Sequence, residues 1–522
     1  MKHKLLLTVM TFFALNAFAQ ESKINDVNTF LLRNAGSIMN KENDVDGYYF
    51  YYVADKLKKG EREFAIQILD KNLVEVAKKS YVDNKNTFLM TSKFNNSAMM
   101  FAMANYKTKE INLLTFDKQA NQKETFTIPL ESKEIRYIQL LQATGDFNVL
   151  FPVENRGFLF NKVEDNKKIG YSLKYYPTDG GKSWEYNSPD NAKAILSINP
   201  IEVNEKVIVA LEFSRPSAMS RKITINTKVI DVNTGKLLFE REYSKKKNPR
   251  MINNAFLNDD NSVVFMGEYF KEGDNIYDDA SLGLFTEVID FTGKTIKENL
   301  SSWETDVAKV YNTKAVESGN GKKQSAKGTS KIKDKGYIYF HDIVKTNTGE
   351  YYAIGEYYKK TVSGAGLAMA VLSQGGNSVT QITIDDAVIF KFDADFKLTG
   401  VTEYDKGKSR APSLSDFGSP QLNAHSLEAF GAFDYEYTQV DRKNDRFYAC
   451  FIDYERLKGE KNKNAFKTII YDDGELSEDK IYLTTTDKNF RVMPAKLGNV
   501  LLVEYNKKEK SISLHLEKLN IN

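Results

Sequence analysis

The chain reads as an all-β protein of four-stranded antiparallel units, and three observations predict this. First, seven hairpins recur in which a short apolar run ends in Asp, followed by a turn signal and a second run. They are Ile66–Leu73, Leu113–Asn121, Tyr175–Trp184, Val229–Leu238, Val288–Ile296, Ile389–Leu398 and Ile469–Leu476. Second, most are preceded by another strand pair, such as Phe88–Phe94 with Ala98–Ala104, or Tyr337–Val344 with Tyr351–Tyr358. Third, Tyr (29) and Phe (33) are abundant and Pro (10) is scarce, which suits many strands. Joining each pair to its hairpin gives a unit A-B-C-D. Such a unit at a period near ~45 residues or more marks a β-propeller blade.

Taken in order, the chain opens with a secretory-type signal over residues 1–19. Lys2 and Lys4 form the charged region, Leu5–Leu15 the apolar stretch, and Ala17-Phe18-Ala19 the small-x-small cleavage site before Gln20. Residues 20–522 then read as one propeller domain. The B strands start near residues 48, 98, 147, 207, 262, 351, 446 and 499, so eight blades are preferred and seven are the alternative. The last unit has room for A, B and C only. Ile24–Leu32 is therefore expected to supply the missing outer strand and close the ring, a three-stranded last blade being the alternative.

Three insertions break the period, at 299–336, 359–386 and 405–435. In an antiparallel blade, D-to-A and B-to-C connections leave on the same face. All three insertions therefore crowd one face around blade six, and long loops on a rigid repeat scaffold carry function.

Composition excludes several classes. Without Lys2 and Lys4 the chain holds 71 basic and 70 acidic residues, which gives no electrostatic reason to expect nucleic acid or an anionic membrane. Cys450 is the only cysteine, so no intrachain disulfide forms. No apolar run beyond the signal reaches the ~20 residues that span a bilayer. His341, His425 and His515 show no metal-ligand spacing, and neither a Ser-His-Asp arrangement nor a phosphate loop is readable. Strand B tends to end in an acid. Glu212, Glu268, Glu356 and Asp453, with His341 nearby, are thus the candidate ligand-binding residues, either as part of an acidic ring or each paired with a neighbouring base. No cofactor is expected; a structural Ca2+ is the one exception this pattern admits.

Thr178-Asp179-Gly180-Gly181-Lys182-Ser183-Trp184 resembles the Asp box of sialidases, sortilin-type receptors and other BNR-repeat propellers, with Pro177 where Ser is common. The resemblance implies a peripheral structural hairpin with Trp184 buried between blades. Phe490–Pro494 is similar to the Phe-Arg-Ile-Pro motif of sialidases but carries an extra Met, and reads as an ordinary strand A. The expected function is an exported, non-catalytic binding propeller of a Gram-negative-type cell envelope, monomeric, presenting the blade-six loops to an envelope protein, peptide or glycan. The alternative is a carbohydrate-active hydrolase or lyase with paired carboxylates such as Glu268 and Glu356 at the channel mouth.

Overall fold

In the computed structural model, eight antiparallel sheets stand around one axis. The structure describes residues 20–520 apart from 145–147, 166–168, 244–246, 313–335, 364–379, 414–419, 456–462, 484–489 and a few single positions or pairs. The signal segment and the apolar patch Leu367–Leu372 lie outside the described residues. Closure is direct: the A strand of each blade touches the A strand of the next, from blade one to blade eight and back to blade one.

Blade one runs from Ala35 to Asn84 and blade two from Thr87 to Pro129. Blades three to five follow at Leu150–Asn187, Ile195–Glu242 and Arg250–Ser302. Blade six has A, B, C and D strands at Tyr337–Lys345, Tyr351–Val362, Thr380–Phe392 and Leu398–Tyr404. Blade seven spans Tyr435–Tyr482, with A at Tyr435–Asp441 and B at Arg446–Glu455. Blade eight takes A, B and C from Phe490–Pro494, Asn499–Asn506 and Ser511–Lys518, and its D strand from the other end of the chain.

That closing strand is Gln20–Ile24, with Gln20 opposite Leu516 and Ile24 opposite Ile512. The expected segment, Ile24–Leu32, is corrected: only Ile24 belongs to the closing strand, and the rest enters the core with a single bridge from Thr29 to Val53. Val27 (0 % exposed) and Phe30 (4 %) pack among Tyr48, Phe50, Leu501 and Val503 of blades one and eight. The apolar spacing was real, but it served interblade packing.

The B strands start at Val45, Met99, Gly157, Val207, Ser262, Tyr351, Arg446 and Asn499. Blade three is thus corrected by ten residues. Its A strand is only Leu150–Val153, and Glu154 lies in the turn that follows, accepting a 2.7 Å hydrogen bond from Asn96. A helix, Ser132–Thr144, fills the connection from blade two.

The described parts of the second and third insertions hold regular structure. Strands B and C of blade six run on past the blade, pairing from Tyr358–Ile384 to Val362–Thr380, and Ser409–Pro412 adds a third strand beside them. Helix Pro420–Ala429 packs on this extension through Ala424 and Leu427, against Tyr358, Ile382, Ile384 and Phe433. The result is a small cap standing on blade six.

Candidate functional site

Inner A strands would be regular if pairing alone shaped them. Five carry a one-residue bulge against strand B, at Met90, Ile201, Asn253, His341 and Glu436. A bulge adds one unpaired residue and re-aims its side chain. Ile201, Asn253 and Glu436 line a channel cavity of about 840 Å3, within the size range of ligand sites.

Each part of the wall is chemically distinct. Blade four supplies Ile195, Leu211, Phe213 and Ile223, together with Ser197, Asn199 and Arg215. Blade six and its cap supply Tyr339 and Glu428, blade seven Tyr435 and Glu436, and blade eight Arg491. Arg491 donates to the Leu32 and Ala35 carbonyls at 3.0 and 2.9 Å, which joins blade eight to blade one. Asn253 is only 9 % exposed, and neither atom of its side-chain amide has a hydrogen-bond partner among the described residues. An unsatisfied buried polar group costs roughly 1–3 kcal/mol, so two on one side chain require a reason. Glu436 faces the open channel, yet enough wall surrounds it that lost hydration pushes its carboxyl up to about 8.

Behind this wall lies a buried ionic network. The His341 side chain is fully enclosed. Its Nε2 lies 3.0 Å from Glu356 Oε2 and its Nδ1 3.2 Å from Glu428 Oε2, at ion-pair distance though off the ideal hydrogen-bond line. The imidazole stacks on Tyr435, with centroids 4.7 Å apart and planes 6° apart, and meets the edge of Phe433. Glu356 also reaches Lys406 Nζ at 2.9 Å and accepts the Tyr435 N–H at 2.9 Å. Lys406 in turn pairs with Asp434, which accepts from Ser409 Oγ at 2.7 Å.

Electrostatics within the network follow from burial and partners. Burial opposes the charged imidazole, but Glu428 and Glu356 outweigh it and raise His341 to about 9. Burial would raise Glu356, yet Lys406 and His341 hold it well below the usual carboxylate range. Burial lifts Asp434 above that range despite Lys406. The two carboxylates flanking the ring favour its protonated form.

The sequence-derived candidates divide accordingly. Glu356 and His341 come together. Asp453 stands beside them, accepting from Gly407 N at 2.6 Å and pairing with Lys480 at 2.9 Å. Glu212 of blade four pairs with Tyr171 of blade three and with Lys228 of its own blade. Glu268 is 2 % exposed and raised to about 8 by burial, with Ser281 as its hydrogen-bonding neighbour. None of these five lines the channel cavity. Asn253, Arg215, Glu428, Glu436, Lys406 and Asp434 were missed. The readable signal for Asn253 and Glu436 was a polar residue interrupting the alternation of an A strand.

Asp386, Glu403 and Asp405 bring ligand oxygens within 4.8 Å of one another. Asp386 already accepts the Lys406 N–H at 3.2 Å and Glu403 the Tyr311 hydroxyl, so two of the three carboxylates are engaged without an ion.

A family profile covers nearly the whole of this ring, matching residues 1–520, and its description is a family of unknown function, DUF6770. The chain belongs to that family. No curated protein matches it. Among solved structures it is similar to the WD40 domain of SCAP from fission yeast, at 7 % identity and TM-score 0.38, covering 95 % of this chain and 98 % of that one. It is also similar to prolyl oligopeptidase B from Galerina marginata, at 9 % identity and TM-score 0.39, covering 90 % of this chain. The match spans 55 % of that oligopeptidase. An oligogalacturonate lyase in complex with manganese is similar at 10 % identity and TM-score 0.35, covering 92 % and 98 %.

Proposed function

We propose that the protein is a non-catalytic binding propeller of the cell envelope that takes its ligand into the central channel, beneath the blade-six cap. The observation that carries the reading is an open channel cavity of about 840 Å3 whose lining residues include Asn199, Arg215, Glu428 and Glu436. The His341–Glu356–Lys406–Asp434 network supports it from behind by fixing the cap and the Tyr435 wall.

A hydrolase built on Glu268 and Glu356 gains no support from this arrangement. Both carboxylates are enclosed (2 % and 0 % exposed), Glu356 is occupied on both oxygens, and neither faces the cavity. Export fits the signal-like residues 1–19, because the closing strand starts at Gln20 and cleavage after Ala19 would leave the ring whole. No helix among the described residues is long and apolar enough to cross a membrane. A monomer fits the outer strands: in blade one, Glu75–Asn84 shows Lys78 and Lys79 to solvent, and charge on an edge discourages strand pairing between molecules.

The test is retention. Small molecules that co-purify with the protein are released by denaturation and compared by mass spectrometry with those from Ser197→Trp, which places an indole in the channel. The expected result is a class of molecules held by the parent chain and absent from a variant with unchanged thermal unfolding. Identical profiles would overturn the reading.

A further inference from the structure

Glu428 joins the cap to the channel wall. It stands in the last turn of helix Pro420–Ala429 and borders the channel cavity together with Gly431. Its Oε2 lies 3.2 Å from His341 Nδ1, and among the described residues this is the one ion pair from the helix to the ring. The helix also packs through Ala424 and Leu427, and Asn423 accepts from Ser413 Oγ, just past the added strand, at 3.1 Å.

The two acids that flank His341 are held unequally. Glu356 is enclosed and keeps Lys406 and the Tyr435 N–H whatever the state of the imidazole. The Glu428 side chain is 36 % exposed, and its carboxylate makes no other ion pair or hydrogen bond among the described residues. A carboxylate in the last turn is also repelled by the helix's own C-terminal carbonyls, which carry the negative end of its dipole. The imidazolium offsets that repulsion. Just beyond, the chain can pivot: Gly431 takes φ +59°, closing the helix with its N–H on the Glu428 carbonyl at 2.9 Å, and the next polar anchor is Asp434 on Lys406.

We propose that helix Pro420–Ala429 is a proton-held gate on the channel, in which the His341 imidazolium clamps Glu428 against the wall and loss of its proton frees the helix end. The proposal rests on the channel reading above and adds how access is controlled. The groups facing the imidazole are Glu356 from strand B, Glu428 from the helix, Tyr435 from blade seven, and Tyr339 and Asp342 from its own strand, with Lys406 behind Glu356. The flanking carboxylates keep the ring charged until pH rises through about 9. The gate is therefore held at neutral pH and released in alkali.

The experiment is hydrogen–deuterium exchange of the parent chain and Glu428→Gln, read by mass spectrometry on the peptide covering 420–429 and, as a reference, on Met99–Asn105 of blade two. Rates are corrected for the intrinsic pH dependence of exchange. At about pH 7 the helix of Glu428→Gln should exchange about fivefold faster than that of the parent, the loss of one charge-assisted contact, with the reference unchanged. Between about pH 7 and pH 10 the parent helix should gain a similar factor, while the variant stays flat. Equal corrected rates for the parent helix at the two pH values would overturn the proposal, and this comparison needs no variant to fold. An equal rise in the reference peptide would also overturn it, since the whole ring would then be loosening. The two readings fail separately. If the helix responds and Ser197→Trp leaves retention unchanged, the proton-held helix stands and the channel reading falls; if retention is lost and the helix does not respond, only the gate falls.

Discussion

The junction between blades one and two and the junction between blades six and seven solve the same packing problem with different chemistry. At the first, Tyr51 stacks on Phe64 at 5.6 Å, Tyr49 meets the edge of Phe101 at 5.6 Å, and Met99, Met103 and Ile68 fill the gaps. Its buried hydroxyls are paired, Tyr49 with Ser92 and Tyr51 with Tyr81. At the second, an apolar base of Tyr352, Ile389, Phe447 and Phe451 carries an ionic layer of His341, Glu356, Lys406 and Asp434 toward the axis. Apolar packing alone suffices for a blade junction, as blades one and two demonstrate. The ionic layer must therefore be understood by what it fixes, because replacing buried ion pairs with apolar side chains is often neutral or stabilising. It ties four segments far apart in sequence: strand A and strand B of blade six, the connection after blade six, and the start of blade seven.

The largest expected effect breaks that layer. Lys406→Met leaves Glu356 and Asp434 enclosed without their shared cation and should cost about 4 kcal/mol, in the range for removing one partner of a buried pair. Adding Glu356→Gln should recover part of the loss, since it removes one stranded charge. A denaturant-midpoint cycle over the two substitutions tests this, and additive losses would mean that the residues do not act as a unit. Across the ring, Met103→Ala (2 % exposed) should cost about 3 kcal/mol through lost burial and a cavity. That loss should be the same at acid and alkaline pH.

The pH dependence sharpens the contrast. His341 is raised from 6.5 to about 9 in the fold, so the folded state binds its proton more tightly than the unfolded chain does. Its contribution is full below about pH 6.5 and is lost as pH rises through about 9. Glu356 is depressed, so its contribution is present above its ordinary value of 4.5 and is lost as pH falls below it. His341→Gln should therefore be less stable than the parent chain at pH 6 and approach it by about pH 10, read from urea midpoints. The groups around the imidazole are Glu356, Glu428, Tyr339, Phe433 and Tyr435, with Asp342 adjacent in strand A. A constant difference across that range would show that the imidazole matters for its shape and not its charge.

How much of this was legible in the sequence depended on how local the cause was. The hairpin repeat was readable because each Asp turn is made by neighbours in the chain. The B strands were readable because burial on both faces makes them continuous apolar runs, as in Met99–Asn105. The closing strand was misplaced because an edge strand takes its register from its partner, here Ile512–Leu516, while Val27 and Phe30 supplied a misleading apolar pattern. The cap helix was missed because Pro412, Gly418 and Pro420 read as loop, although Pro at the first turn of a helix is well tolerated. Glu356 and His341 were found as an acidic strand residue and a strand histidine. Lys406 and Asp434 were not, because an ion pair between an insertion and a strand leaves no spacing to read.

The smallest expected effect lies where the two regions should not differ at all. Asp70 in blade one receives the N–H groups of Asn72 and Val74 on Oδ1 at 2.8 and 2.9 Å. Asp393 in blade six receives those of Asp395 and Lys397, both at 2.9 Å. The same turn is therefore built twice, once below an apolar junction and once below an ionic one. Asp→Ala at either position removes two hydrogen bonds to backbone groups that water can reach, which should cost about 1 kcal/mol in each case. Equal shifts in denaturant midpoint would mean that the periphery of the ring is indifferent to what lies at its axis. A much larger loss at Asp393 would mean that the blade-six turn and the ionic layer are coupled through strand C, and the distinction between a uniform rim and a specialised sector would have to be redrawn.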